Sequence, residues 1–183
     1  MFNIQNQNNK NPQNMKVNQI SPCLWFDGQA EEAAKYYTSI FKNSKMGRIT
    51  RYGKEGFEIH KMPEGTVLTV KFWLEGQQFL ALNGGPLFKF SEAISFVINC
   101  ETQEEIDFYW NKLTQGGDEK AQQCGWLKDK FGLSWQVTPT ILPDMLADKD
   151  SAKSESVMHA MMQMKKIDIA ALKKAYSNQF QHH

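Results

Sequence analysis

ISPCLWFDGQAEEAAKYYTSIF, residues 20–41, reads as a strand, a tight turn and a helix. The strand spans residues 17–26 (VNQISPCLWF), and Asp27-Gly28 supplies the turn. From Ala30 strong helix formers dominate, and Ala33, Tyr36, Tyr37, Ile40 and Phe41 recur on one face. Gln29, Glu31 and Glu32 put polar or negative groups in the first turn, where the helix dipole favours them. The same order begins again with AISFVIN, residues 93–99, and TQEEIDFYWNKL, residues 102–113. There Thr102 is the expected N-cap, with Glu105 three residues on. Glu31-Glu32 ahead of Tyr36-Tyr37 answers to Glu104-Glu105 ahead of Tyr109-Trp110 at a constant offset of 73 (31 to 104, 36 to 109). The spacing predicts a duplicated βαβββ unit.

Outward from these two openings, residues 46–52 and 56–62 read as short strands or irregular loop. TVLTVKFWL (66–74) and QFLALN (78–83), joined by Glu75-Gly76-Gln77, read as a hairpin that Gly84-Gly85-Pro86 ends. In the second half, residues 124–128 and 133–138 supply further strands around a turn at Lys130-Phe131-Gly132. The repeats then occupy about 16–86 and 91–140 within a unit spanning 15–140. Residues 1–14, mostly Asn and Gln, cannot offset their ordering entropy and are expected to be a disordered tail. Residues 141–183 form a helical extension, in which Val157, Met158, Met161, Met162 and Met164 fall at helical spacing and Asp168 caps a last helix.

Composition excludes several classes. Hydrophobic residues make up 41% of the 183-residue chain, enough for a packed core. A net charge of +1 leaves no basic excess of the kind phosphate neutralisation demands, so no nucleic-acid partner is expected. Cys23, Cys100 and Cys124 are odd in number and far apart, which is no disulfide framework and no zinc spacing. There is no apolar run near 18 residues and no charged-then-apolar leader, so the expectation is a cytoplasmic protein without membrane contact.

Three blocks carry a family resemblance: ISPCLWFDGQAEEAAKYYTSIF; EGQQFLALNGGP with FSEAISFVINCETQEEIDFYW; and CGWLKDKFGLSWQVTP with MHAMMQMKKIDIAALKKAY. Together they resemble the PhnB-like branch of the vicinal-oxygen-chelate (glyoxalase/bleomycin-resistance/dioxygenase) superfamily across residues 18–176. The resemblance implies an α+β fold of two βαβββ repeats, forming curved half-barrels around a cleft, plus C-terminal helices. It also implies a homodimer. Active relatives hold a divalent ion in the cleft on His and Glu side chains, and the matching positions here fall near Pro22 or Cys23, Ala81 or Asn83, Ser95, and Gln136. None of these is His, Asp or Glu, so neither metal nor other cofactor is expected. Members are often labelled demethylubiquinone methyltransferases, but the strand–Gly-x-Gly–helix unit that commonly seats a nucleoside cofactor is missing from this sequence.

The cleft is therefore expected to hold a small molecule on flat apolar walls and a few polar groups. Trp25, Trp73 and Trp135 are the candidate walls, and Asp27, Asn83, Asn99 and Gln136 the candidate polar groups. Core packing competes as a role for the tryptophans, and a backbone partner competes for Asn99 and Gln136. The leading reading is a metal-free small-molecule-binding module. The alternatives are an isomerase- or lyase-type enzyme, using substitute ligands or Asp27 or Cys23 as acid–base, and a protein-interaction domain built on the C-terminal helix.

Overall fold

Thr102 starts the second repeat's helix as its position predicts. Its hydroxyl accepts from the Glu105 amide at 3.2 Å, and the Glu105 carboxylate accepts from the Thr102 amide in return. Such reciprocal caps satisfy two amides that the first helical turn leaves open. The computed structural model describes residues 20–177. Its elements are β1 (Cys23–Phe26), α1 (Ala30–Ile40), β2 (Ser44–Arg51), α2 (Phe57–His60), β3 (Val67–Leu74), β4 (Gln77–Asn83), β5 (Ser95–Cys100), α3 (Gln103–Leu113), β6 (Trp126–Lys128), β7 (Ser134–Pro139), α4 (Leu142–Leu146), α5 (Ser151–Met162) and α6 (Ile169–Ser177). Among the described residues no helix is long and apolar enough to cross a membrane.

The strands form two open sheets, ordered β1-β4-β3-β2 and β5-β7-β6. In each, the first strand of the repeat lies parallel to the last, and the rest pair antiparallel. The fold is thus the expected α+β arrangement with C-terminal helices. The second sheet, however, has three strands among the described residues where the first has four. After α3 the chain runs through polar Gln115–Gln123, which takes a 3-10 turn at Glu119–Ala121 instead of a strand. Residues 56–62 also differ from both earlier expectations. Phe57–His60 is a single helical turn set between Gly56 (φ 82°) and Lys61 (φ 57°). The Asn/Gln-rich stretch 1–14 lies outside the described residues.

One face of each sheet is covered by the repeat's own helix, and the two covered faces share one core. Tyr37, fully buried, stacks on Phe72 of its own sheet and meets Trp135 of the other at 5.4 Å between ring centroids. Phe41 stacks on Trp135 and on Tyr109, and Phe79 meets Phe96 edge-on. Offset and edge-on ring contacts add to the burial of large apolar surfaces. The repeats are also joined by a buried carboxylate. Asp129, in the β6–β7 turn and 3% exposed, accepts from the Tyr37 hydroxyl at 2.7 Å and the Trp135 indole N–H at 2.8 Å. The amides of Phe131 (2.9 Å) and Leu133 (3.0 Å) donate to its other oxygen.

The C-terminal helices dock on the second repeat. The Cys124 and Gly125 amides donate to the Met164 and Lys165 carbonyls, both at 2.8 Å. Gln103 clamps the entry to α6, donating to the Ile167 carbonyl and accepting from the Ile169 amide. Asp168 caps that helix through the Ala171 amide, as its position predicts. Of the methionine-rich stretch, Val157 is buried while Met158 and Met162 stand exposed.

Candidate functional site

The side of each sheet turned away from the helices is the surface on which a ligand can lie. Along β3, Val70, Phe72 and Leu74 are buried, so the intervening Thr69, Lys71 and Trp73 point to the opposite face. Strand register extends this open face in three rows. Lys45, Trp73 and Gln78 form the first, Lys71, Leu80 and Cys23 the second, and Thr50, Thr69, Leu82 and Trp25 the third. Trp73 lies over the backbone of Gly47, where an added Cβ would come within 2.6 Å of the ring. The Thr50 and Thr69 hydroxyls share a 2.6 Å hydrogen bond. On the second sheet the corresponding face carries Ser95, Val97, Asn99, Gln136 and Thr138.

The structure distributes the sequence-selected residues over separate places. Trp25 and Asp27 border a groove of about 310 Å³, lined also by Phe88 and by Lys128 and Phe131 of the second repeat. The Trp25 indole donates to the Gly85 carbonyl at 2.8 Å and its ring lies against Gly84, where any Cβ would clash. Trp73 is on the open face of the first sheet. Gln136 is on the open face of the second, its amide donating to the Ser95 hydroxyl at 2.9 Å. Asn99 borders a larger inter-repeat groove of about 680 Å³ together with Phe41, Glu75, Glu104 and Phe108.

Asn83 and Trp135 serve the interior instead. Asn83, 1% exposed, accepts from the Ala30 amide at 2.9 Å and donates to the Val67 carbonyl at 3.0 Å, fixing the first turn of α1 to the sheet. Trp135, 3% exposed, belongs to the aromatic core. The residues that sequence reasoning passed over are Lys45, Lys71, Thr50, Thr69, Leu80 and Leu82. Alternation within TVLTVKFWL already puts Lys71 on the face of Trp73; the pairing of β2 with β3 does not follow from sequence.

A divalent ion of the kind that oxygen chemistry requires needs carboxylates or imidazoles. Among the described residues the strands contain no His, Asp or Glu. No three His, Cys, Asp or Glu side chains among those residues lie close enough to share an ion. His60, at the end of α2, meets the Tyr52 ring at a tilt and takes the Met62 amide on Nδ1. The residues present do not fit such an ion. The thiols differ in reach: Cys23 is exposed on the open face, whereas Cys100 is buried with its pKa pushed up to about 12, chiefly by burial. An aromatic disulfide reagent at neutral pH is expected to label Cys23 in the folded protein and Cys100 only after denaturant is added. Mass spectrometry of the labelled peptides checks this, and rapid Cys100 labelling would contradict the packing described.

The family model described as 3-demethylubiquinone-9 3-methyltransferase matches residues 18–138. A PhnB protein from Bacillus cereus, also described as a 3-demethylubiquinone-9 3-methyltransferase, is 39% identical. That match covers 67% of this chain and 99% of the other, with a TM-score of 0.58. A Pseudomonas aeruginosa protein, 20% identical over 66% of this chain and 96% of its own, shares the fold with a TM-score of 0.52. Comparison with curated proteins gave no match. With most of both repeats inside the matched span, and near-complete coverage of a relative this similar, the chain belongs to the PhnB-like family.

Proposed function

We propose that this chain is a homodimeric, cytoplasmic small-molecule-binding protein whose ligand lies, without a metal, on the open faces of the sheets. The observation that carries the reading is the composition of those faces. Half-exposed Trp25, Trp73, Leu80 and Leu82 offer apolar contact, while the strands lack His, Asp and Glu to hold an ion. Gln136 and Asn99 supply amide groups on the second sheet, and Asp27 stands at the rim beside Trp25. The functional unit in this reading is 15–140, with 141–183 a supporting extension.

A second copy has a physical role. Val97 is 51% exposed on edge strand β5, and open sheet edges left uncovered invite uncontrolled pairing. Methyl transfer, named in the family's description, finds no seat for a nucleoside between β1 and α1. The turn there is Asp27-Gly28-Gln29, with a single glycine.

The test combines mass and thermal shift. Sedimentation at micromolar concentration is expected to give twice the 21.1 kDa of one chain. Manganese, zinc and nickel salts are expected to leave the melting temperature unchanged. A small organic ligand at 100 times its Kd stabilises by about 2.7 kcal/mol and raises it. A monomer, or a large rise with one ion alone, would overturn the reading.

A further inference from the structure

We infer that the ligand of the first sheet's open face is an amphiphilic organic anion, its acidic group held between Lys45 and Lys71 and its apolar body lying toward Trp25. The inference rests on the binding reading above and names the chemical class which that site takes. It stands on a segregation of charge. The chain is nearly neutral, with 21 basic and 20 acidic residues. Among the described residues, nevertheless, the strands carry Lys45, Arg48, Arg51, Lys71 and Lys128 and no acid at all. The carboxylates have been kept to helices and loops.

Four of these five cations have no carboxylate partner among the described residues, and two of the four lie against one ring. Lys128 is paired with Glu92, and off the strands Lys130 is paired with Glu32 and Lys166 with Asp107. Lys45 and Lys71 have no carboxylate partner among the described residues. Their ammonium groups lie 4.8 and 6.0 Å from the centroid of the same ring, Trp73. That ring is itself seated on Gly47, so both ammonium groups border one fixed aromatic surface. Ordering two long cationic chains before a ligand arrives removes much of the entropy an ion pair otherwise loses. The hydrogen-bonded Thr50 and Thr69 pair, on the same face, leaves one hydroxyl proton to donate to an anionic oxygen.

Across the sheet the character changes. Lys71 faces Leu80, which faces Cys23, and Thr69 faces Leu82, which faces Trp25. From β3 to β1 is two strand spacings, roughly 10 Å. In the second and third rows the face is thus polar and cationic at β2 and β3 and apolar at β4 and β1. A carboxylate, sulfonate or phosphate ester joined to one or two rings spans that distance with each end on matching chemistry. A bare inorganic anion gains only the first half, and a neutral aromatic only the second.

Two fluorescent probes with the same ring frame test this: 8-anilinonaphthalene-1-sulfonate and neutral N-phenyl-1-naphthylamine. The full chain is expected to bind the sulfonate about tenfold more tightly than the neutral probe. Raising salt from about 0.05 M to about 0.5 M is expected to shrink that preference, because the pair is partly open to solvent. Lys45→Gln with Lys71→Gln is expected to abolish it while leaving neutral binding and the melting temperature unchanged, and Lys71→Arg to retain most of it. Equal affinity for both probes, or a preference that survives loss of both lysines, overturns the anion assignment and leaves the binding reading standing. Failure of both probes to bind the wild-type chain removes both.

Discussion

Asp129→Ala is expected to cost about 4 kcal/mol of folding stability, as an uncompensated loss within a buried polar network does. The carboxylate is the common acceptor for four donors: the Tyr37 hydroxyl, the Trp135 indole and the amides of Phe131 and Leu133. Alanine leaves all four without that partner, three of them donors of buried hydrogen bonds. Asp129→Asn is expected to lose less. Its carbonyl oxygen still serves the two amides and its NH₂ can donate to the Tyr37 oxygen, but the Trp135 N–H then faces another donor. Urea unfolding followed by tryptophan fluorescence orders the three proteins. If Asp129→Ala unfolds within about 1 kcal/mol of wild type, the carboxylate is not the joint between the repeats.

The same residue gives a signature with pH. Burial pushes the Asp129 carboxyl up from its ordinary value, against the pull of its hydrogen bonds from Trp135, Tyr37 and the two amides. A carboxyl whose folded pKa is raised contributes stability that is full below its unfolded pKa and lost as pH rises through the folded one. Relative to Asp129→Asn, wild type is therefore expected to gain stability on acidification across that window. Asp107 has the opposite sign. Hydrogen bonds from Lys166 and Gln103 lower its pKa, so its contribution is present above the ordinary carboxyl range and fades as pH falls through the folded value.

Asp129 also shows where reading the sequence stopped. The two repeats, the helices at 30–41 and 102–113, and the Thr102 cap were legible because each is set by neighbours within a few residues. The turn at Lys130-Phe131-Gly132 was legible too, yet nothing in the neighbouring sequence marks the Asp beside it as buried. Its partner Tyr37 is 92 positions away. Asn83 and Trp135 were selected for the right kind of side chain, but alternation says only that neighbours on a strand oppose each other. Which set meets the helix is a tertiary fact: α1 sits over the face of Phe72 and Asn83, leaving Lys71 and Trp73 outside. Phe57–His60 is shorter than any periodic signal, and left-handed backbone at both ends isolates it.

Trp135→Ala and Trp25→Ala are expected to separate a core residue from a surface one by measurement. Trp135 is 3% exposed, packs on Tyr37, Phe41 and Phe96, and donates to Asp129. Its loss leaves a cavity at the junction of both repeats, and such truncations cost about 3–5 kcal/mol. Trp25 is half-exposed on the open face, with one hydrogen bond to the Gly85 carbonyl and an edge contact to Phe88, itself 59% exposed. Solvent already reaches that ring, so its removal is expected to cost about 1–2 kcal/mol while weakening binding of the anionic naphthalene probe. Trp135→Ala is also expected to be less than additive with Asp129→Ala, since the two delete ends of one bond. Equal losses at both tryptophans would make Trp25 a packing residue and remove the apolar end of the proposed site. Unchanged stability in Trp135→Ala would instead show that the shared core rests on its other ring contacts, Phe79 with Phe96 and Phe41 with Tyr109.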